Sequence, residues 1–188
     1  MPGVDRFGGR FDTVLAAAQA GEGWALERIF TVLSPVVTGY LRLQGASDAE
    51  DLTSEVFLAV LRRVGTFRGD EAGFRSWVFT IAHRRLIDDR RRRARNREVV
   101  SPAPGDEVAG EVDVAGDVLR SLGVDWVRDV CDRLVPDQRN VLLLRLLGGM
   151  SLEEVAEATG RSVGAVKSLQ HRGFRAVARI LEREGVSP

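Results

Sequence analysis

The segment SLEEVAEATGRSVGAVKSLQHRGFRAVARI, residues 151–180, most constrains the fold, because its pattern is that of two helices joined by a tight turn. Advancing about 100° per residue along the second helix places its apolar side chains on one arc. These are Val163, Val166, Leu169, Gly173, Val177, Ile180 and Leu181. The opposite arc carries Gly164, Lys167, Ser168, His171, Arg172, Arg175 and Arg179. A helix that packs on one side and offers cationic and hydrogen-bonding groups on the other suits a DNA major groove.

The ends of these helices are marked by residues with known capping chemistry. Ser151 and Glu154 have the spacing of a capping box at the first helix. Gly160 can end that helix in a left-handed conformation, and Ser162 is placed to cap the second helix. Gly164 permits close approach of a phosphate. The apolar positions Leu142, Leu146, Leu152, Val155 and Ala156 are expected to form a small three-helix core.

Helical periodicity dominates the rest of the chain, which predicts an all-α protein. The expected helices cover about 11–20, 24–44, 48–64, 73–95, 117–134, 137–147, 151–159 and 162–182. Between them, residues 96–116 contain two Pro, three Gly and five acidic residues. Such a stretch predicts a flexible acidic linker, residues 98–116, between two small helical domains, residues 1–97 and 117–188.

The net charge is zero, but the charges are segregated along the chain. Residues 61–100 carry 12 Arg against 5 acids, and residues 138–188 carry 8 Arg or Lys against 5 acids. Residues 1–60 and 101–137 are acidic. Because phosphate binding is a local electrostatic matter, the two basic blocks favour a nucleic-acid partner in spite of the overall balance.

Several classes of function are disfavoured by what the sequence lacks. Cys131 is the only cysteine, and His83 and His171 are the only histidines, so we expect no disulfide, no metal site, no cofactor and no catalytic constellation. No apolar run approaches the roughly 20 residues that span a bilayer, and none follows a basic start. We therefore expect a cytoplasmic protein without membrane insertion that is not an enzyme.

The larger basic block begins with an apolar stripe. Phe74, Trp77, Val78 and Ile81 recur at helical spacing, which is typical of core residues. The same helix continues into Arg84, Arg85, Arg90, Arg91, Arg92, Arg93, Arg95 and Arg97. So dense a run of like charges is costly on a free surface, and a polyanion would relieve the repulsion; a solvated arginine-rich tail is the alternative.

The loop and helix that precede this block carry two further signals. In the loop VGTFRGDEAG, Phe67 could stack on unpaired bases and Arg68 could contact their backbone. The preceding helix, DAEDLTSEVFLAVLRRV, is apolar on two nearly opposite sides. Such a helix is either buried between neighbours or binds a partner. The acids at its start, Asp48, Glu50, Asp51 and Glu55, suit the helix dipole and would also suit a basic protein surface.

The order of these pieces resembles the bacterial sigma factors of the extracytoplasmic-function (ECF) type, which keep only regions 2 and 4 of the sigma-70 family. DAEDLTSEVFLAV resembles region 2.2, and FRSWVFTIAHRRLIDDRRRRARN resembles regions 2.3 and 2.4. LVPDQRNVLLLRLLGGMSLEEVAEATGRSVGAVKSLQHRGFRAV resembles region 4. The resemblance covers about residues 10–97 and 125–182. One departure is that Leu169–Gln170 and Gly173–Phe174 stand where many relatives have a more basic run.

The resemblance implies a transcription initiation factor whose partners are core RNA polymerase, through its β′ clamp helices and β flap, and promoter DNA. It implies polymerase contacts from Asp48, Glu50, Asp51, Leu52, Glu55, Val56 and Phe57. It implies −10 contacts from Phe67, Arg68, Ser76, Trp77, Thr80, Arg84 and Arg85. It implies −35 contacts from Ser162, Gly164, Lys167, Ser168, His171, Arg172 and Arg175. An anti-sigma factor is a further possible partner.

Two alternatives remain at this point. An autonomous helix-turn-helix regulator would explain residues 138–182 but would give the arginine block and the two-sided helix no role. An enzyme acting on nucleic acid would need a nucleophile, a metal site or an acid–base pair. The acidic residues here instead occupy positions at helix starts.

Overall fold

A computed structural model of the chain describes residues 7–99 and 118–185, with side chains over residues 7–96 and 125–185. The described residues form no β-strand, which confirms the all-α prediction. The helices are α1 (Phe11–Gln19), α2 (Gly23–Leu43), α3 (Ala49–Arg63), α4 (Glu71–Val99), α5 (Val118–Asp132), α6 (Pro136–Leu146), α7 (Leu152–Thr159) and α8 (Val163–Arg183), with a 3-10 turn over Val64–Thr66. Most of the predicted linker, residues 100–116, lies outside the described residues.

The helix starts follow the capping residues that the sequence offers. The Asp48 carboxylate accepts a hydrogen bond of 2.8 Å from the Asp51 amide at the start of α3. Ser151 and Glu154 form the expected capping box, with bonds of 3.0 and 2.6 Å in the two directions. Gly160 then ends α7 with φ of 66°. These local bonds satisfy amide groups that a helix start leaves without partners, and this explains why the predicted boundaries are close.

Helices α2 and α4 pack against α3, and α1 packs against α2 and the 3-10 turn. Leu52, Val56 and Phe57 are at most 3% exposed, and α3 contacts α2 and α4 on its two sides. Burial between neighbours therefore accounts for the two-sided apolar pattern of this helix. Tyr40 of α2 and Phe79 of α4 meet edge to face across the bundle, with ring centroids 5.4 Å apart.

Helices α6, α7 and α8 form the expected three-helix unit, and α5 packs beside α6 and α8. Leu142, Val155 and Ala156 are buried as predicted. The prediction for Leu146 is wrong, because its side chain is 64% exposed. Leu146 is the last residue of α6, and its side chain points away from the core that Leu144 and Leu147 contact on either side of it.

The two halves of the chain share one apolar core, which places α7 against α4. Met150 of the turn after α6 is fully buried and belongs to the same cluster as Phe79 of α4. Gln44 Nε2 of the first half donates a hydrogen bond of 2.9 Å to Asn140 Oδ1 of the second half. The two helical units are thus packed against each other in the described protein.

Candidate nucleic-acid and protein interfaces

Helix α8 presents the polar face that the sequence predicts. Val166, Leu169, Gly173 and Ile180 are buried on its inner side. The opposite side carries Ser162, Gly164, Lys167, Ser168, His171, Arg172 and Arg175, all of which are exposed. The Ser162 hydroxyl accepts a hydrogen bond of 3.2 Å from the Ala165 amide, and no neighbouring atom lies within 4 Å of where a Cβ at Gly164 would stand. The first turn of α8 is therefore open to a ligand.

The residues that depart from the basic pattern of relatives have structural roles in α8. A Cβ at Gly173 would lie 2.9 Å from Leu142 Cδ1, so only glycine permits the observed approach of α6 and α8. Leu169 is 7% exposed, and Gln170 Oε1 accepts a hydrogen bond of 3.1 Å from Arg145 Nε. Packing between helices therefore explains three of the four departures. Phe174, the fourth, is 45% exposed.

The loop before α4 is held in place by contacts that sequence reasoning did not identify. Gln19 Nε2 of α1 donates hydrogen bonds of 3.1 and 2.9 Å to the carbonyl oxygens of Val64 and Phe67. The Arg68 guanidinium donates to the carbonyl oxygen of Phe67 at 2.7 Å and to that of Gly65 at 3.1 Å. The loop is therefore ordered before any ligand binds. No local pattern marks Gln19, because its partners lie 45 and 48 residues away.

Phe67 lies within an aromatic cluster rather than standing free. Its ring centroid is 5.0 Å from that of Phe74 and 5.3 Å from that of Trp77. Both Phe67 and Trp77 are half-buried. The cluster thus presents part of two aromatic surfaces at the mouth of the loop.

Several of the residues expected to contact the −10 element meet along one side of α4. Ser76, Trp77, Thr80 and Arg84 line a groove of about 250 Å³ together with Arg63 of α3. Ser76 itself is only 5% exposed, and its carbonyl oxygen accepts a hydrogen bond of 2.9 Å from the Thr80 hydroxyl. The opposite wall of the groove is α7, through Glu154, Glu157 and Ala158. Arg85 does not line the groove and lies 3.7 Å from Glu55.

The arginine run is partly neutralised within the protein, which corrects the expectation of uncompensated repulsion. Arg93 Nε lies 2.8 Å from Asp89, and Arg91 lies 3.8 Å from Asp88. Arg92 lies 3.7 Å from both Asp89 and Glu55. Asp89 is buried, but the arginine of each pair is exposed, and pairs at the surface contribute about 0–1 kcal/mol each. They therefore moderate the repulsion without removing the positive surface.

The acidic start of α3 divides into exposed and buried parts. Asp48, Glu50 and Asp51 are exposed, and Glu50 pairs with Arg42 of α2. Leu52, Val56 and Phe57, which the resemblance marks for polymerase contact, lie in the core and cannot reach a partner without unfolding the bundle. The apolar side chains that α3 does expose are Leu58, at 53%, and Leu61, at 38%. Leu58 lies two helical turns after Asp51 on the same face of α3. This spacing is the sequence signal that could have identified Leu58 as an exposed contact residue.

A buried polar network joins α2, α4 and α6. The Tyr40 hydroxyl lies 3.0 Å from His83 Nδ1 and donates a longer hydrogen bond of 3.4 Å to Asn140 Oδ1. Burial, together with the positive charges of Arg90 and Arg84, lowers the pKa of His83 to about 4. Burial also raises the pKa of Tyr40. Both side chains are therefore neutral at pH 7, which suits their place between helices.

Comparison with known proteins agrees with this arrangement. The family models for sigma-70 region 2 and sigma-70 region 4 match residues 29–96 and 125–177. The chain is 39% identical over 183 residues to the ECF RNA polymerase sigma factor BldN of Streptomyces coelicolor, a match that covers 96% of this chain and 69% of BldN. It is 31% identical over 180 residues to the ECF sigma factor SigL of Mycobacterium tuberculosis, covering 92% and 98% of the two chains.

Two solved structures have the same fold at 20% identity. The sigma factor RpoE of Bartonella quintana, solved with the anti-sigma factor NepR, matches with a TM-score of 0.63 over 83% of this chain and 96% of that one. CnrH, solved with the cytosolic domain of CnrY, matches with a TM-score of 0.60 over 91% of this chain and 96% of that one.

The helix-turn-helix of the second unit and the two family matches together define the class of this protein, a DNA-binding transcription factor. The chain belongs to the sigma-70 family and is an RNA polymerase sigma factor of the ECF type. It binds core RNA polymerase and directs transcription initiation at promoters. The predicted sigma-factor function is therefore confirmed over the alternative, an autonomous helix-turn-helix regulator. Sigma factors are not a class of enzymes. Within the part of the chain that the structure describes, no helix has the length and apolar character needed to cross a bilayer.

Proposed function

We propose that this sigma factor reads its promoter through two surfaces on separate helices. The exposed face of α8 binds the −35 element as duplex, and the side of α4 that begins at the Phe67 loop captures one strand of the −10 element. We propose that residues 1–97 bind polymerase and the −10 element, that residues 98–116 form the linker, and that residues 117–188 bind the −35 element. The observation that carries this proposal is that both cationic surfaces are built on ordered helices of different units.

The −35 surface is supported by the chemistry of α8. Lys167, Arg172 and Arg175 are exposed cations on the face opposite the buried stripe. Arginine donates bidentate hydrogen bonds to guanine in the major groove, and lysine contacts guanine or phosphate. Ser168 and His171 add hydrogen-bonding groups between them, while the open first turn, from Ser162 to Gly164, suits a phosphate.

The −10 surface is supported by aromatic and cationic groups placed side by side. Trp77 and Phe67 offer partly exposed rings on which unpaired bases can stack, which contributes about 1–3 kcal/mol per base in single-strand binding proteins. Arg68 and Arg84 are exposed at the two ends of this surface. Thr80 and the Ser76 backbone lie between them, and Arg85 is available for a flanking phosphate.

The polymerase surface is supported by the exposed face of α3. Asp51 and Leu58 lie on one side of that helix, with Asp48, Glu50 and Leu61 beside them. Acidic side chains beside exposed leucines suit a partner surface that is basic and partly apolar. We propose that this partner surface is the β′ clamp helices. Glu55 contributes through Arg85 and Arg92, which it holds in position. We assign the β flap contact to the second unit.

Three further properties follow from this role. The protein does no covalent chemistry and needs no cofactor, because strand separation draws on polymerase and DNA binding. It acts in the cytoplasm, where polymerase and promoters are found. Its activity is regulated by an anti-sigma factor; the support is that the sigma factor RpoE, which has this fold, was solved with the anti-sigma factor NepR.

Run-off transcription with purified core RNA polymerase tests the proposal. The template is a promoter found by mapping transcript 5′ ends after overexpression of this protein. We expect transcripts only when core enzyme and this protein are combined, and a strong loss when Arg172 and Arg175 are both changed to Ala. Arg183→Ala, an exposed arginine in the last turn of the same helix, is the matched control. Normal transcription by the double variant would overturn the assignment of the α8 face.

A further inference from the structure

We propose that a second groove, between α1 and the first half of α2, binds a free nucleotide. Its volume is about 490 Å³, which lies within the roughly 300–1,000 Å³ of pockets that hold small molecules. The residues that line it come from the start of α1, with Phe7 and Arg10 just before that helix, and from the first three turns of α2. The groove shares no residue with the surfaces proposed above for DNA and polymerase, so it calls for a ligand of its own.

The floor of this groove is apolar and is fixed to the core of the bundle. Phe7 and Val14 line the groove but are only 2% and 5% exposed. The Phe7 ring centroid lies 5.5 Å from that of Phe11, which in turn lies 5.5 Å from that of Phe74 in α4. The floor is therefore ordered before a ligand arrives, which lowers the entropic cost of binding.

Trp24 gives the groove a surface on which a planar ring can stack. Its side chain lines the groove and is 51% exposed. The indole Nε1 donates a hydrogen bond of 3.2 Å to Glu22 Oε2, which restrains the orientation of the ring. An indole offers a large apolar face, and a base that stacks on such a face removes both surfaces from water. The expected ligand therefore contains an aromatic ring.

Two arginines give the groove a binding position for an anion. Arg10 and Arg28 both line the groove and are exposed, and neither forms an ion pair within the part of the chain that the structure describes. A guanidinium group donates two parallel hydrogen bonds to a phosphate, and this geometry makes arginine a preferred phosphate ligand. Thr13 and Thr31, also exposed, add hydroxyl groups to the same groove. A phosphate is therefore the anion that suits this position best.

Glu27 restricts the ligand further. Its exposed carboxylate lines the groove together with the two arginines, and a carboxylate only accepts hydrogen bonds. It would repel a bare anion, but it can accept hydrogen bonds from a hydroxyl or amino group on the ligand. A nucleotide supplies all three features that the groove requires: a planar base, a phosphate, and ribose hydroxyls that donate. The structure thus favours a nucleotide over inorganic phosphate.

Isothermal titration calorimetry of the full-length protein with AMP, adenosine and inorganic phosphate tests the proposal. We expect AMP to bind at least about tenfold more tightly than adenosine or phosphate, because only AMP reaches both the indole and the arginines. Trp24→Ala should weaken AMP binding about 5- to 150-fold, the range for loss of one stacked base, and Arg28→Gln should weaken it at least about tenfold. Trp126→Ala and Arg128→Gln, at exposed positions of α5, are the matched controls and should bind AMP like the wild type.

Three results of the titrations would overturn the proposal. The first is the absence of saturable AMP binding by the wild type up to about 1 mM. The second is equal AMP affinity of wild type and Trp24→Ala, which would remove the stacking contact. The third is phosphate binding as tight as AMP binding. Trp24→Phe keeps an aromatic face and should retain most of the affinity that Trp24→Ala loses, which distinguishes lost stacking from a general change of the helix.

Competition with random 12-nucleotide single-stranded DNA distinguishes a free nucleotide from a nucleotide within a strand. The competition uses Trp77→Ala protein, so that the proposed −10 surface does not contribute to DNA binding. We expect AMP to remain bound in the presence of the DNA. Displacement of AMP by the DNA in this variant would overturn the assignment to a free nucleotide.

Discussion

Gln44 and Asn140 stand 96 residues apart in the chain, and Gln44 Nε2 donates a hydrogen bond of 2.9 Å to Asn140 Oδ1. Gln44 is only 3% exposed, so this bond lies inside the contact between the two helical units. Tyr40 and Arg90 meet the same pair, Arg90 through the Gln44 carbonyl oxygen. The relative position of the two helical units therefore depends on these polar groups together with the apolar core that the units share.

The network predicts a specific loss of stability in mild acid. The unfolded-state pKa of a histidine is about 6.5, whereas burial lowers the pKa of folded His83 to about 4. Between these values the unfolded chain binds the proton and the folded chain does not, so stability falls as pH decreases from about 6.5 to 4. At pH 5 the contribution is about 2 kcal/mol.

Urea unfolding of wild-type protein and His83→Gln at pH 7 and pH 5 measures this contribution. We expect the wild type to lose about 2 kcal/mol more than the variant between the two pH values. His171→Gln, at an exposed position, is expected to behave like the wild type. Parallel losses in wild type and His83→Gln would contradict the burial of a neutral His83.

The close approach of α6 and α8 predicts that Gly173→Ala is destabilising. The new Cβ would stand 2.9 Å from Leu142 Cδ1, and overpacking of this kind costs typically about 1–3 kcal/mol. Gly164→Ala serves as the control, because nothing lies within 4 Å of its Cβ position. Chemical denaturation should show lower stability for Gly173→Ala and equal or higher stability for Gly164→Ala. A neutral Gly173→Ala would mean that the helices are farther apart than described.

The sequence predicted the helices of this protein well because their ends are determined locally. Asp48 and Ser151 cap their helices through bonds to amides three residues away, a distance that a sequence pattern records. The end of α4 was predicted four residues early, at 95 instead of Val99. No proline or glycine occurs between Arg95 and Val99, so no local signal ends the helix at residue 95.

The candidate sites were predicted less completely, because they depend on distant partners. The exposed face of α8 follows from periodicity alone and was predicted in full. The burial of Leu52, Val56 and Phe57, by contrast, depends on α2 and α4, and Leu58 is exposed because no residue that the structure describes covers that side of α3. The packing of the two helical units arises from contacts such as Gln44 with Asn140, which no local pattern contains.

The −35 assignment predicts a graded loss of duplex binding. Arg172→Ala and Arg175→Ala should each weaken binding of the isolated promoter duplex by about 1–3 kcal/mol if they make bidentate base contacts. Electrophoretic mobility shift with holoenzyme measures the effect, and Arg183→Ala supplies the control for a lost exposed charge. Affinities that change equally for promoter and unrelated duplex would indicate phosphate contacts in place of base reading.

The exposed face of α3 predicts a separate defect in polymerase binding. Asp51→Arg combined with Leu58→Asp should lower affinity for core polymerase at least about tenfold, because the acidic contact and the apolar contact that we propose for this face are both lost. Glu27→Arg, an exposed charge reversal on α2, should leave that affinity unchanged. Fluorescence anisotropy of labelled protein titrated with core enzyme gives the comparison. Equal affinity of the double variant would place the polymerase contact elsewhere.

The central claim is that α8 holds the duplex while α4 captures the opened strand, and permanganate footprinting of holoenzyme on its promoter tests it most directly. For Trp77→Ala with Arg84→Ala, we expect protection of the −35 region to remain and permanganate reactivity of the −10 thymines to be lost, after circular dichroism has verified folding. Wild-type reactivity of those thymines with the double variant would contradict the claim.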